Sequence, residues 1–265
     1  MEPNPHVLGR RPTTPDPRDF TFRMLKESSS LELAFARLMA AKGANPAVKA
    51  WASEVMAALA APAPPPEPEP DPTENVIWEL PDPVLDQGDT PHCGGFGGCQ
   101  WGNLSPVNDH YRDLDGHALY YESVSIGGYP GTEDGVESRW VAQALQARGR
   151  LATYGFASTV EEIIEWLRTE GPVMMGTDWT SEMFEPDDTG LVTVDGPVMG
   201  GHFWVICGDL PTDREVVCLN SWGESYGSEG FFRLSYLDLS VLLAGIAYPG
   251  DAILSPEMAL PVLAA

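Results

Sequence analysis

The sequence is poor in cysteine, with four in 265 residues. That is too few for a disulfide scaffold, so each is read as a thiol, and a reducing, cytoplasmic setting is expected. It is poor in positive charge: 15 Lys and Arg face 39 Asp and Glu, for a net charge of −24 and a pI of about 4.3. Such a surface repels phosphate backbones and anionic lipid headgroups, so neither nucleic acid nor membrane is an expected partner. No apolar run approaches the roughly 18 residues of a membrane span. The opening stretch, MEPNPHVLGRRPTTPDPRDF, lacks the basic and then apolar pattern of a signal peptide. Internal repeats are lacking too. What is present is enough apolar residue to bury a core: 43% hydrophobic and 9% aromatic.

Residues 1–26 are rich in proline and arginine, without period, and read as an extended arm. Two amphipathic helices are expected next. Ser29 and Glu32 form a capping box ahead of the stripe Leu31, Phe35, Leu38 and Met39. Asn45 and Pro46 open a second helix carrying Val48, Trp51, Val55 and Leu59. Between 62 and 75, seven of fourteen residues are proline and four are acidic, which reads as a stiff solvated linker. Residues 1–61 carry 8 basic against 6 acidic side chains, and residues 76–265 carry 7 against 29. The division reads as an N-terminal segment (1–61), a linker (62–75) and a domain (76–265). Whether the basic segment docks on the acidic domain through residues 29–61, or both are simply solvated, is open at this level.

The domain has helical patterns first, over 116–124, 136–148 and 159–169. Strand-like runs follow over 173–177, 202–208, 215–222 and 230–236. That order indicates an α+β fold. A hairpin centred on Pro211 would set His202 opposite Asn220. An amide oxygen beside an imidazole fixes its tautomer and frees the other nitrogen as a base. A turn-rich approach from Asp86 also delivers Cys93 to a helix start, where free N–H groups and the helix dipole favour thiolate. Gln87, six residues earlier, has an amide able to share an oxyanion with a backbone N–H.

These motifs resemble the papain-like cysteine peptidases, in the bacterial and viral style. The resemblance rests on Gln87 six residues before Cys93, Gly200-Gly201-His202, and the run Asn220-Ser221-Trp222-Gly223 through Gly230. Gly135, Arg139, Leu145 and Gly149 resemble that family's helical segment, and Gly171-Pro172-Val173 its pocket strand. It implies a two-lobed fold, a helical half against a mostly antiparallel β half, with an N-terminal helical extension. It implies Cys93 as nucleophile, His202 as its proton partner, Asn220 as orienter and Gln87 as oxyanion donor. Trp222 would shield the Asn–His bond, and Gly127, Gly128 and Gly201 would support substrate backbone. The implied activity is hydrolysis of peptide bonds in a protein or peptide substrate, with no cofactor or metal.

The sequence departs from the pattern in two places. Gly94 follows the nucleophile where tryptophan is usual, and Thr90 stands where a cysteine is common. Glycines at 94, 95, 97 and 98 weaken a helix by about 1 kcal/mol each relative to alanine, and mark either close backbone approach or a loosened site. Cys99 is a competing nucleophile, but it lies twelve residues from Gln87. A zinc site from His92, Cys93 and Cys99 does not fit the usual spacings. Two alternatives stay open: a catalytically weak scaffold used for binding or assembly, and a thiol-dependent deamidase or transglutaminase-like acyl transferase.

Overall fold

In a computed structural model, residues 6–17, 19–27, 71–151 and 153–255 are described. The expected helices of residues 29–61 and most of the proline linker lie outside them. Helices come first in the domain: α2 (Cys93–Asn103), α3 (Asp113–Ile126) and α4 (Ser138–Ala147). The short strand β4 (Val136–Glu137) immediately precedes α4. Then come β5 (Gly155–Ala157), α5 (Val160–Thr169), β6 (Val173–Thr180), β7 (Val198–Leu210), β8 (Glu215–Leu219), β9 (Phe231–Ser235), α6 (Tyr236–Ala244) and β10 (Asp251–Leu254). Ahead of them lie β1 (Arg10–Arg11), β2 (Phe20–Thr21), α1 (Phe22–Glu27) and β3 (Val76–Ile77). The main sheet runs β2-β5-β10-β6-β7-β8-β9, with β3 added on β7, and its central pairings are antiparallel. The expected α+β fold is the one observed.

Strand β7 divides the interior because successive side chains point to opposite faces. Phe203, Val205 and Cys207 join Met174, Ile253 and helices α2, α3 and α4 in one core. Trp204 and Ile206 join Trp179, Trp222, Phe232 and helices α5 and α6 in the other. Helix α2 runs between sheet and helices with all eleven residues buried. Its glycines serve close approach: a Cβ on Gly95 would lie 2.1 Å from the Gly116 carbonyl oxygen, and one on Gly97 would lie 2.4 Å from the Phe203 ring.

The β7–β8 hairpin differs from the expected register. Leu210 pairs with Glu215 and Asp209 with Val216, so the turn centres beyond Pro211, and a bulge at Cys207 shifts the register again. Val205 faces Leu219. His202 and Asn220 are therefore not backbone partners, and their side chains meet diagonally past the end of β8. Among the elements without a sequence expectation are β5, α6 and β10. Asp251–Leu254 inserts between β5 and β6, though it lies last in the described chain.

The N-terminal arm is part of this body. β1 pairs in parallel with β4, and β2 in parallel with β5. Arg139, nearly buried, bonds to Asp19 and to the Thr14 carbonyl. Leu25 is 5% exposed and packs into the α5 side of the sheet.

Candidate active site

Cys93 is the first residue of α2, with His92 at the cap position. The first-turn N–H groups are free to face its sulfur. The sulfur receives N–H groups from Phe203, Gly9 and Gly94. Phe203 follows His202 on β7, so the thiol lies beside the imidazole's own strand. His202 Nε2 lies 2.8 Å from Asn220 Oδ1. Since that oxygen only accepts, Nε2 carries the proton and Nδ1 is the basic nitrogen. Nδ1 has no hydrogen-bond partner among the described residues. Trp222 stacks on the imidazole at 4.6 Å between centroids, and the Trp179 edge meets it at 4.8 Å. These rings exclude water from the His–Asn bond, which strengthens it.

Gln87 is held at both ends. Its Oε1 accepts from Ser221 Oγ at 2.7 Å, and its Nε2 donates to the carbonyls of Val7 at 3.0 Å and Thr90 at 2.7 Å. Ser221 thereby fixes which end of the amide is the donor. Gln100, two turns along α2 from Cys93, donates to the Asn220 carbonyl at 3.1 Å and ties the two halves of the site. Ser221 and Gln100 are site residues that the sequence reading passed over. Ser221 stood inside the quoted Asn220–Gly223 run, whereas Gln100 carried no signal.

The arm crosses the site as an extended peptide. His6 stacks flat on Trp222, at 4.2 Å and 6°. The Val7 carbonyl sits on the Gln87 amide. The Gly9 carbonyl accepts from Val136 N–H at 2.8 Å. Gly9 is pressed so tightly that a Cβ there would fall 1.8 Å from the Pro91 oxygen. Gly201 serves the same approach from the other side, since its Cβ would lie 2.5 Å from the Arg10 carbonyl oxygen.

That cover sets the electrostatics. Cys93 and His202 are both 0% exposed. Burial pushes the thiol up to about 11, against the three N–H groups that favour thiolate. Burial also pushes His202 down to about 3, against the Asn220 bond. Both are neutral near pH 7 while the arm is in place.

Gly127 ends α3 against the Trp140 ring, and Gly128 follows at φ +85°. The arm's backbone is met by Val136–Glu137 instead. Cys99, Cys207 and Cys218 are buried in the cores, with thiols raised by burial. His92 has both ring nitrogens engaged, by His117 and Glu133 at 2.7 Å each.

No family model and no curated protein matches the chain. Solved structures do. Xylellain, a cysteine protease from Xylella fastidiosa, aligns over 97% of this chain and 98% of its own, at TM-score 0.63 and 14% identity. The ragweed pollen allergen Amb a 11, a cysteine protease in its proform, aligns over 73% of this chain and 66% of its own, at TM-score 0.53 and 13% identity. The chain has the fold of the papain-like cysteine proteases.

Proposed function

We propose that the protein is a cysteine peptidase, with Cys93, His202, Asn220 and Gln87 as its working groups. The observation that carries this reading is the peptide already in the site. An extended backbone lies across Cys93 with one of its carbonyls on the Gln87 amide. The site therefore accommodates main chain, and its donor recognises a peptide carbonyl. In the reaction, the Cys93 sulfur adds to the substrate carbonyl carbon as its proton passes to His202 Nδ1. The oxyanion is held by Gln87 Nε2 and the Cys93 N–H. The carbon–nitrogen bond breaks as His202 returns the proton to the leaving amine. Water, deprotonated by His202, then cleaves the thioester. Asn220 keeps the imidazole in the tautomer that this exchange requires.

The arm acts as a cover that must leave first, so the full chain is the resting form. The test uses the full chain with Gly9→Val, which cannot keep the arm in place. It is expected to cleave fluorogenic peptides at least tenfold faster than the parent chain, and Cys93→Ala in the same background is expected to be inactive. Product masses separate peptide hydrolysis from deamidation, which adds one mass unit and leaves the chain whole. Labelling of Cys99 by a thiol epoxide, with full activity in Cys93→Ala, would overturn the assignment.

A further inference from the structure

We propose that the pocket now filled by Arg10 is a substrate subsite selective for arginine or lysine, with Asp251 as its counter-charge. This rests on the peptidase reading above. Arg10 follows Gly9, the residue against the sulfur, and its side chain is 1% exposed. Its Nη2 donates to Asp251 Oδ2 at 2.9 Å and to the Pro249 carbonyl at 2.8 Å. The walls are two glycines on neighbouring strands. A Cβ on Gly176 would lie 3.3 Å from Arg10 Nε, and one on Gly201 would lie 3.0 Å from its Cδ. Together they leave a slot that fits a long unbranched stem. Behind Gly176, Ser138 Oγ is buried without a partner among the described residues.

The floor is built independently of the arm. Asp251 is fixed opposite Gly176 by the β10–β6 register. Asp178 accepts the N–H groups of Ile246, Ala247 and Tyr248 at 2.6–3.0 Å, which pins the turn that presents Pro249. Among the described residues, only the arm's own Arg10 and Thr13 bond to the Asp251 side chain. When the arm leaves, the pocket keeps its shape, and its carboxylate loses both partners. A substrate cation restores the pairing, whereas an apolar side chain would bury the carboxylate unpaired. Among the described residues, Arg10 uses one of its three nitrogens, and Nε and Nη1 have no partner. An ammonium can therefore satisfy the same two acceptors, and a free substrate arginine has room for a second bond to the carboxylate.

The test keeps the full chain and empties the pocket with Gly9→Val. Arg10→Glu, which sets a like charge against Asp251, is the second way of emptying it. Peptidyl acyloxymethyl ketones carry arginine, lysine or norleucine at each of the three positions before the reacting carbonyl. Labelling of Cys93 is followed by intact mass, and turnover of matching fluorogenic peptides in parallel. At one position the basic reagents should react at least tenfold faster than norleucine. Adding Asp251→Asn should bring that ratio within about twofold, with the basic reagents slowed and the norleucine reagent no slower than before. Should Asp251→Asn fold poorly, protection by agmatine against the norleucine reagent is the independent readout. Equal rates for basic and apolar reagents, a preference that survives Asp251→Asn, or no protection by agmatine would each mean that the pocket serves the arm alone. Selective labelling without turnover would uphold the subsite and overturn the peptidase reading.

Discussion

At the scale of single residues, the site depends on side chains whose protons are fixed by neighbours. Ser221 donates to Gln87 Oε1. In the proposed reaction its hydroxyl keeps the amide N–H turned toward the oxyanion. Ser221→Ala should lower kcat about tenfold with KM little changed. That is less than the roughly 10²–10³ lost when an oxyanion donor is removed outright, the range expected for Gln87→Ala. Steady-state kinetics in the Gly9→Val background checks both. The buried pair also links stability to pH. His202 binds its proton only near pH 3 when folded, against an ordinary 6.5. Its contribution to stability is therefore full above about 6.5 and is lost as pH falls toward 3. The Cys93 thiol stands at about 11 against an ordinary 9.0. Its contribution is full below 9 and is lost as pH rises toward 11, by about 3 kcal/mol over the two units. Urea midpoints measured from pH 8 to 11 should fall more steeply in the parent chain than in Cys93→Ala. Parallel curves would refute the buried neutral thiol.

At the scale of elements, α2 is held by packing and not by propensity. Five of its eleven residues are glycine, a composition that disfavours a helix in isolation. It persists because α3, α4 and β7 approach too closely for side chains. Gly95→Val should fail to fold, because its Cβ alone would fall 2.1 Å from the Gly116 oxygen, a backbone atom that cannot move aside. Circular dichroism and solubility check this. The same element shows what a sequence conveys. The candidate residues Cys93, Gln87, His202 and Asn220 stand out because local spacing and short motifs carry them, and helices over 116–124 and 159–169 were legible from period. The β7–β8 register was not, because the bulge at Cys207 adds a residue that no alternation reveals. Nor was β10, whose partners β5 and β6 lie some 70 to 100 residues earlier in the chain. Gln100 reaches Asn220 across 120 residues. Such contacts are set by topology, and composition leaves no trace of them.

At the scale of the whole molecule, the arm's cover and the arm's structural role cannot be separated by truncation. Residues 29–61, which the sequence offers as a segment that could dock on the domain, lie outside the described residues. In the structure residues 6–11 lie over Cys93, and residues 10–27 supply β1, β2 and α1. Cutting the chain at residue 76 would therefore uncover the thiol and also remove an edge strand, Leu25 and the carboxylate that pairs with buried Arg139. Among the described residues, Arg139 would then keep only Glu137, at 4.0 Å, as a counter-charge. A truncated domain that shows little activity would thus report instability, not the absence of a cover. The point variant distinguishes the two. Gly9→Val disturbs the arm where it crosses Cys93 and leaves Asp19 free to hold Arg139. We expect iodoacetamide to label Cys93 at least tenfold faster in Gly9→Val than in the parent chain at pH 7, because re-solvation lowers the thiol from its buried value. The melting temperature should fall by only a few degrees, whereas the 76–265 fragment should melt far lower. Salt discriminates further. The Arg10–Asp251 pair is nearly buried, and the Arg11–Asp134 pair is largely exposed. Screening acts mainly on the second, so labelling of the parent chain should change less than about threefold between 0.05 and 1 M salt. A steep rise with salt would mean that the arm is held by surface charge and not by the fit of Gly9 and Arg10.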